Sequence, residues 1–320
     1  MKLYGRNWKR EELAALIPDI AKVAGIRQFT ETDGPASGAR LIQIDSGGGL
    51  RVELLPDRCC DIGQVWCNDV PFGWAGPIGM SGTDSVGEST TLSGLMSTCG
   101  FDHIRQPDTD EGRSYPLHGR MARMPARIVS CASDSDGDDC NFRVLAEATQ
   151  FVLGLASVRL EREIVVPLGG RTLTLTDRVT VLSGSLPLMA MYHINLGFPL
   201  AGPGSHLSLC GTEIADALSP DGVRTRPSGA GPVEVVLAGC GEAPPRYTLA
   251  YDGDALPCLQ TLRNAAEGTN LFCIEPATHN KKPRAALREL GLLEPSSRGT
   301  TRVFSLHMVF DPGGYPADRN

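Results

Sequence analysis

Apolar and polar residues alternate along most of the chain beyond residue 25. The clearest example is the pair Arg40–Asp45 and Leu50–Leu55, in which apolar side chains occupy alternate positions and a Ser-Gly-Gly-Gly segment separates the two runs. Such alternation is typical of half-buried strands, and the glycines predict a hairpin turn between them. Similar runs predict further strands at 61–66, 124–131, 141–149, 156–166, 171–181, 186–196, 206–214, 233–238, 246–251, 258–263, 269–275 and 301–310. Many short strands separated by turns predict an all-β fold, a large antiparallel sandwich.

Helical periodicity is confined to two short stretches. Residues 8–24 carry apolar side chains at helical spacing, but Pro18 interrupts the run, so we expect one or two short helices there. A second, brief helical pattern covers 284–290. Because the composition does not change along the chain and no segment repeats, the sequence predicts a single domain over residues 1–320, with 1–24 as a short helical extension.

The composition limits the classes of partner. The 320 residues include 30 Lys and Arg against 37 Asp and Glu, which gives a net charge of −7. An acidic balance argues against nucleic acid and anionic membrane surfaces as partners, since both attract basic patches. No run is long and apolar enough to span a bilayer, and the N-terminus lacks the pattern of a secretory signal. The ten cysteines contain no CxxC spacing, so we expect mostly buried free thiols in a reducing cytoplasm.

Two stretches without apolar periodicity are predicted to be loops. Residues 76–94 are rich in Gly, Ser and Thr, and a loop of this length in a compact domain is often functional. The acidic run at 134–139 lies between two predicted strands, where a solvated hairpin loop is the simplest interpretation. Calcium binding is the alternative, although the glycine is misplaced for an EF-hand loop and no closing Glu follows.

One predicted strand carries an unusual pair of polar side chains. In the segment MYHINLGFP at 191–199, His193 and Asn195 share one face with Met191, while the apolar residues between them point to the other face. An imidazole and a carboxamide are both costly to bury without hydrogen bonds. This face is therefore expected to meet water, a ligand or a polar network.

Two further segments carry side chains suited to the same site, YPLHGR around His118 and FCIEP around Glu275. Glu275 follows an apolar run, so its carboxylate is either paired, for instance with Arg120 or Lys281, or used as a general base. His193 is a candidate acid, because a nearby carboxylate would keep its imidazole protonated. We expect the three segments to form one site.

The remaining candidates are assigned from local context. His118 lies in a loop-like sequence and is predicted to bind a ligand or donate a proton, with a structural role as the alternative. Arg58 and Asp61 flank a pair of cysteines at the start of a strand; they are predicted to recognise hydroxyls at the mouth of a cleft, or else to pair with each other. The sequence around His103 fits either a functional or a structural role. No GxSxG, Walker A, GxGxxG or HExxH pattern is present, which argues against the common hydrolase, nucleotide and zincin classes.

Five motifs together resemble the aldose 1-epimerase (galactose mutarotase-like) superfamily, and in particular a less characterised branch of epimerase-like proteins. In chain order they are LPDRCCDIG at 55–63, GLMSTCGFD at 94–102, LHGR at 117–120, YHINLGFP at 192–199 and IEPATHN at 274–280. Each motif alone is weak evidence, but their order and spacing are fairly specific for the superfamily and cover nearly all of the chain. The resemblance implies a β-supersandwich with the site in a cleft on one sheet.

The resemblance also implies roles. The family's catalytic glutamate corresponds to Glu275, with Asn280 after it, its acid histidine to His193, and a ring-binding histidine to His118. The family's paired histidines before Gly-Gly are reduced to one, Arg120 replaces the second glycine, and the aspartate that anchors sugar hydroxyls in well-known members has no evident counterpart. Arg120 is compatible with an acidic or modified sugar. The residues predicted to bind substrate are His118, Arg120, Asn195, Arg58, Asp61, His103 and Asn280.

The expected activity is interconversion of the anomers of a free sugar by acid–base ring opening, which involves no redox step and requires no cofactor. One alternative is a metal-dependent sugar isomerase with His118, His193 and Glu275 as ligands of an open site. Another is a non-catalytic carbohydrate-binding protein, for which Trp66 and Trp74 would supply an aromatic platform. In each case the predicted partner is a small carbohydrate.

Overall fold

The computed structural model describes residues 1–77, 79–80, 92–136, 139–215, 217–218 and 221–314. Within these ranges almost every regular element is a strand. The strands, in chain order, are β1 Lys2–Leu3, β2 Arg6–Asn7, β3 Gly25–Thr30, β4 Arg40–Asp45, β5 Leu50–Leu55, β6 Asp61–Cys67, β7 Val70–Pro71, β8 Met96–Phe101, β9 Asp108–Asp110, β10 Arg113–Tyr115, β11 Arg127–Asp136, β12 Asp139–Val152, β13 Ala156–Pro167, β14 Thr172–Leu186, β15 Met189–Leu196, β16 His206–Leu209, β17 Thr212–Glu213, β18 Gly222–Pro227, β19 Pro232–Ala238, β20 Arg246–Asp252, β21 Cys258–Asn264, β22 Leu271–Ala277, β23 Ser296–Ser297 and β24 Thr301–Asp311.

The helices are short, as the sequence predicts. The α-helices are α1 Arg10–Ala14 and α2 Arg284–Glu289, and a 3₁₀ turn at Ile20–Lys22 forms the second part of the interrupted N-terminal pattern. A helix needs about 20 residues to cross a bilayer, and no helix in the described ranges is long and apolar enough to do so.

Two large antiparallel sheets form the body of the protein. The front sheet has the strand order β18-β21-β22-β15-β8-β6-β5-β4-β3, with β7 paired to β6. The back sheet has the order β11-β12-β13-β14-β24-β20-β19-β16-β17, with β23 paired to β14. Each sheet therefore contains ten described strands, and the prediction of an all-β sandwich of antiparallel sheets is confirmed.

The apolar faces of the two sheets pack against each other. Phe72 beside the front sheet meets Phe310 of the back sheet edge to face, with ring centroids 5.2 Å apart, and Tyr192 of β15 meets Phe304 of β24 at 6.1 Å. Five of the ten cysteines, all of them free thiols, are also buried. The odd-numbered residues of β15 point away from this core. His193 and Asn195 therefore lie on the outer face of the front sheet.

Charged residues also cross the interface between the sheets. The Arg162 guanidinium, on β13 of the back sheet, pairs with Asp177 on β14 and Asp61 on β6, with nitrogen–oxygen distances of 2.7 and 2.9 Å. All three side chains are fully buried. The Tyr192 hydroxyl donates to Asp177 Oδ2 at 2.8 Å, so this network lies directly beneath the strand that carries His193.

Several strands differ from the sequence prediction in extent or existence. β4 and β5 match the predicted boundaries, and Ile42 pairs with Leu54 in the hairpin between them. The run 206–214 is not one strand, because a turn with positive φ at Cys210 and Gly211 divides it into β16 and β17. β8 and β18 form strands that the pattern did not indicate.

The two predicted loops lie partly outside the described residues. In the stretch 76–94, this applies to residue 78 and residues 81–91. The acidic run was predicted to be a hairpin loop over 134–139, but residues 134–136 and Asp139 belong to the paired strands β11 and β12, with Asp136 opposite Asp139. Residues 137–138 lie outside the described part.

Candidate active site

Three neighbouring strands place a row of polar side chains across the front sheet. Gln260 on β21 lies directly opposite Glu275 on β22. The β15–β22 register, with Met191 opposite Ala277 and Ile194 opposite Ile274, places His193 across from Glu275 in the same row. The His193 Nε2 and Glu275 Oε1 atoms are 3.4 Å apart.

The row is deeply buried. His193 is 2 % exposed and Glu275 is 0 % exposed. Glu275 Oε2 accepts a hydrogen bond from Gln260 Nε2, whereas Oε1 has no hydrogen-bond partner among the described residues. A buried carboxylate oxygen is normally hydrogen-bonded, so the free Oε1 beside His193 marks this pair as the candidate reactive centre.

Asn195 fixes the orientation of the His193 ring. The Asn195 amide donates through Nδ2 to the Leu92 carbonyl at 2.7 Å, so its Oδ1 is the acceptor for His193 Nδ1 at 2.6 Å. His193 therefore carries a proton on Nδ1 and presents Nε2 towards Glu275. The adjacent polar pair that the sequence singled out thus forms one hydrogen-bonded unit.

His118 packs against His193 from a tightly turned loop. Their ring centroids are 5.2 Å apart and nearly perpendicular. The His118 backbone is left-handed, with φ of 60°, and its N–H donates to the Arg105 carbonyl at 2.7 Å. At Gly119, where φ is 75°, a Cβ atom would lie 2.4 Å from the His103 carbonyl oxygen, so only glycine lets the loop approach so closely.

Burial, together with the positive potential of His193, His103 and Arg105, lowers the pKa of His118 to about 3. A histidine this buried stays neutral at physiological pH. Its Nδ1 has no partner among the residues described, so the ring can bind a hydroxyl group. A neutral imidazole has no additional proton to give, so His118 is not a candidate for the general acid.

Acid should destabilise the protein through His118. Between pH 6.5 and 3 the unfolded chain binds a proton that the folded protein excludes, so this contribution is fully present above pH 6.5 and is lost as the pH falls towards 3. The slope is roughly 1.4 kcal/mol per pH unit. Urea unfolding at pH 7.5, 6 and 5 should show a smaller acid loss for His118→Gln. Replacing the exposed His307 by Gln is the matched control; if both variants lose stability as the wild type does, the assignment is wrong.

The structure places the other predicted residues in different surroundings. His103 donates through Nε2 to the Gln106 carbonyl at 2.6 Å, and burial lowers its pKa. Arg58 is buried, where it donates to the Ser93 carbonyl and to Ser97 Oγ. Asp61, predicted at the mouth of a cleft, is instead sealed between the sheets.

Two more predicted residues lie near the row but not in it. Arg120 is held by the Asp102 carboxylate and by the Ser114 carbonyl at 3.0 Å, so it does not pair with Glu275. The other predicted partner of Glu275, Lys281, is exposed and forms no ion pair with it, whereas Glu275 is fully buried. Asn280 follows β22, and its carbonyl accepts a hydrogen bond from Arg105 Nη1 at 3.1 Å.

The family of the chain follows from its sequence. The model of a family described as a domain of unknown function, DUF4432, matches residues 36–222, which is more than half of the chain. The chain belongs to this family. The matched stretch of this DUF4432 protein includes His118 and His193, whereas Glu275 lies beyond it. No curated protein matches the chain in sequence.

Solved structures of galactose mutarotase-like proteins share the fold. A candidate aldose 1-epimerase from Klebsiella pneumoniae aligns with a TM-score of 0.72 at 18 % identity, over 90 % of this chain and 83 % of that one. The galactose 1-epimerase of Lactobacillus acidophilus aligns with a TM-score of 0.56 at 13 % identity, over 91 % and 100 %. A galactose mutarotase-like protein from Clostridium acetobutylicum gives 0.56 at 12 % identity, over 91 % and 99 %. The DUF4432 protein therefore has the galactose mutarotase-like fold, as its motifs indicated.

Sequence reasoning missed two members of the site. Gln260 donates to Glu275, and its Oε1 accepts a hydrogen bond from Arg105 Nε at 2.6 Å. Nothing in the sequence singles out Gln260, because β21 has the sequence CLQTLRN and carries other polar residues beside it. Arg105 lies in an irregular segment with a left-handed φ of 70°, and no pattern in the sequence marks it.

Proposed function

We propose that this DUF4432 protein interconverts the anomers of a free sugar by general acid–base catalysis. The observation that carries the proposal is the pair of Glu275 Oε1 and His193 Nε2, which lie 3.4 Å apart on adjacent strands of the front sheet. The carboxylate oxygen has no hydrogen bond to a described residue, and Asn195 orients the imidazole. The mutarotase-like fold is consistent with this activity.

The two groups can open and close a sugar ring, and each group ends the cycle with the same protonation state in which it began. Glu275 removes the proton from the anomeric hydroxyl, and His193, protonated on both nitrogens, gives its Nε2 proton to the ring oxygen as the bond from that oxygen to the anomeric carbon breaks. The open-chain carbonyl turns about its neighbouring bond. The ring then closes on the other face of the carbonyl, Glu275 returns its proton to the carbonyl oxygen, and His193 recovers its own.

The geometry suits this chemistry because both reacting oxygens are bonded to the same carbon. A base and an acid must then lie side by side, each within about 2.6–3.2 Å of its oxygen. Adjacent strands provide such a spacing. Since Glu275 is fully buried, substrate can reach Oε1 only after the side chains above it move.

A second candidate function, that of a metal-dependent sugar isomerase, rests on some of the same side chains. His193, Cys273 and Glu275 each offer a ligand atom within 4.8 Å of the others, and zinc binds these residue types. This cluster has Cys273 in place of the His118 expected from the sequence. The Cys273 thiol lies 3.6 Å from Asn195 Oδ1 as a hydrogen-bond donor, and burial raises its pKa well above the ordinary value, so the thiol is protonated in the metal-free protein.

NMR exchange spectroscopy separates these candidates. We expect the purified protein to accelerate exchange between the α and β signals of at least one sugar in a panel of hexoses, pentoses, ketoses and uronates. Activity that survives a chelator, in protein without bound metal, supports the acid–base mechanism. Near-stoichiometric zinc and loss of activity on chelation support the metal site. Sugar binding without faster exchange for any sugar contradicts the proposed anomer exchange.

A further inference from the structure

A cavity of about 260 Å³ lies beside the candidate active site, and Arg105 belongs to both. Its wall includes Arg105 and Asn280. Arg105 is linked to Glu275 through a single side chain, because Gln260 accepts from Arg105 Nε and donates to the carboxylate. The cavity and the proposed catalytic base are therefore joined by a continuous hydrogen-bonded path.

Three polar atoms of residues that line the cavity have no hydrogen-bond partner in the described part of the chain. They are Arg105 Nη2, His103 Nδ1 and Asn280 Oδ1, all of them buried atoms. Since His103 donates through Nε2, its Nδ1 is an acceptor. One donor and two acceptors left unpaired around one cavity are costly unless a ligand satisfies them.

The charge of the wall is positive. Arg105 is 8 % exposed and forms no ion pair with a described residue, which is rare for a buried guanidinium. Lys281 and Lys282 lie at the same wall, exposed, and they too make no ion pair within the described ranges. Asp108 is an acidic group of the lining, but it accepts the backbone N–H of Arg284 at 2.8 Å.

Arg120 does not compete for this role. Its guanidinium is already paired with Asp102 and with the Ser114 carbonyl. By contrast, Arg105 makes its hydrogen bonds to neutral groups, the Gln260 amide and the Asn280 carbonyl, and keeps one nitrogen unpaired. Arg105 thus has no carboxylate in direct contact, although the charge of Glu275 acts on it across the intervening Gln260.

We propose that this cavity binds the anionic group of the substrate, so that the sugar is a uronate or a sugar phosphate rather than a neutral sugar. The carboxylate or phosphate contacts Arg105 Nη2, with Lys281 and Lys282 adding charge, and sugar hydroxyls donate to His103 Nδ1 and Asn280 Oδ1. This inference rests on the proposed anomer exchange for its reaction, while its binding site stands on the cavity itself.

The test compares matched sugars that differ only in charge. Exchange NMR gives kcat/KM for glucose, glucuronate and glucose 6-phosphate, and the two anionic sugars distinguish a carboxylate from a phosphate. We expect at least one of them to exceed glucose by about tenfold or more, as one charge-assisted hydrogen bond provides. In Arg105→Gln this ratio should fall close to one. Any misplacement of Gln260 in that variant affects all three sugars alike and cancels in the ratio.

The control is Arg298→Gln, which removes an exposed arginine outside the cavity and should keep the ratio. Equal rates for neutral and anionic sugars, unchanged in Arg105→Gln, would overturn the inference and leave the proposed function standing. If no sugar exchanges faster, calorimetry still decides: glucuronate or glucose 6-phosphate that binds the wild type, but binds Arg105→Gln at least tenfold more weakly, supports the anion site. Binding equal to that of glucose overturns it.

Discussion

Replacing Glu275 by Gln should lower the rate of catalysed anomer exchange by roughly 10²–10⁴-fold, the usual contribution of a general base. Glutamine keeps the size of the side chain, and its carbonyl oxygen can still accept the hydrogen bond from Gln260. What it cannot do is take up the proton of the anomeric hydroxyl. Exchange NMR of the sugar that the wild type acts on fastest measures the loss directly.

The fold of the Glu275→Gln variant should survive, because the change removes a buried negative charge rather than a packed side chain. Circular dichroism and the urea midpoint therefore accompany the rate measurement. Glu213→Gln is the matched control, since that carboxylate is exposed beside His206 on the back sheet and should not affect the rate. Full activity in Glu275→Gln would rule out the assignment of the base, even if the wild type proves to be a mutarotase.

Some strands could be predicted because their two faces meet different surroundings. β4 and β5 each cover one side of the core, so their apolar residues alternate and their boundaries were predicted correctly. β8, with the sequence MSTCGF, consists largely of small and polar residues although it is buried, and half-exposed β18 has too few apolar residues to show an alternation. Both were therefore missed.

The site was predictable only in its local part. His193 and Asn195 lie two residues apart on one strand, so their shared face follows from strand geometry alone. Their relation to Glu275 and Gln260 depends on the pairing of β15, β22 and β21, which no spacing along the chain specifies. The family resemblance provided the roles of Glu275 and His193, and those roles stay predictions until activity is measured.

Asp61 shows how a long-range partner changes an interpretation. From its neighbours alone, its side chain was placed at a cleft with Arg58. Its partner in the structure is Arg162, about one hundred residues later in the chain, and the sequence around either residue gives no indication of the other. The ion pair forms only because β13 of the back sheet crosses β6 of the front sheet.

Replacing Arg162 by Met should therefore destabilise the protein by about 3–5 kcal/mol, the usual cost of leaving a buried ion pair without one partner. The side chain is fully buried, and its loss leaves the carboxylates of Asp61 and Asp177 facing each other's negative charge in the core. The free energy of unfolding in urea measures the effect. The matched control is Arg159→Met on the same strand, whose ion pair with Glu161 is partly exposed to solvent and is worth at most about 1 kcal/mol.

A combined variant separates charge from packing. If the cost comes from uncompensated carboxylates, changing Asp61 and Asp177 to Asn in the Arg162→Met background should recover part of the lost stability, because neutral amides are cheaper to bury. If instead the loss reflects a poor fit of Met, the added changes should destabilise further, since Asp61 also accepts the Thr98 N–H and Asp177 the Tyr192 hydroxyl. A loss below about 1 kcal/mol for Arg162→Met alone would mean that the network contributes no more than a surface ion pair.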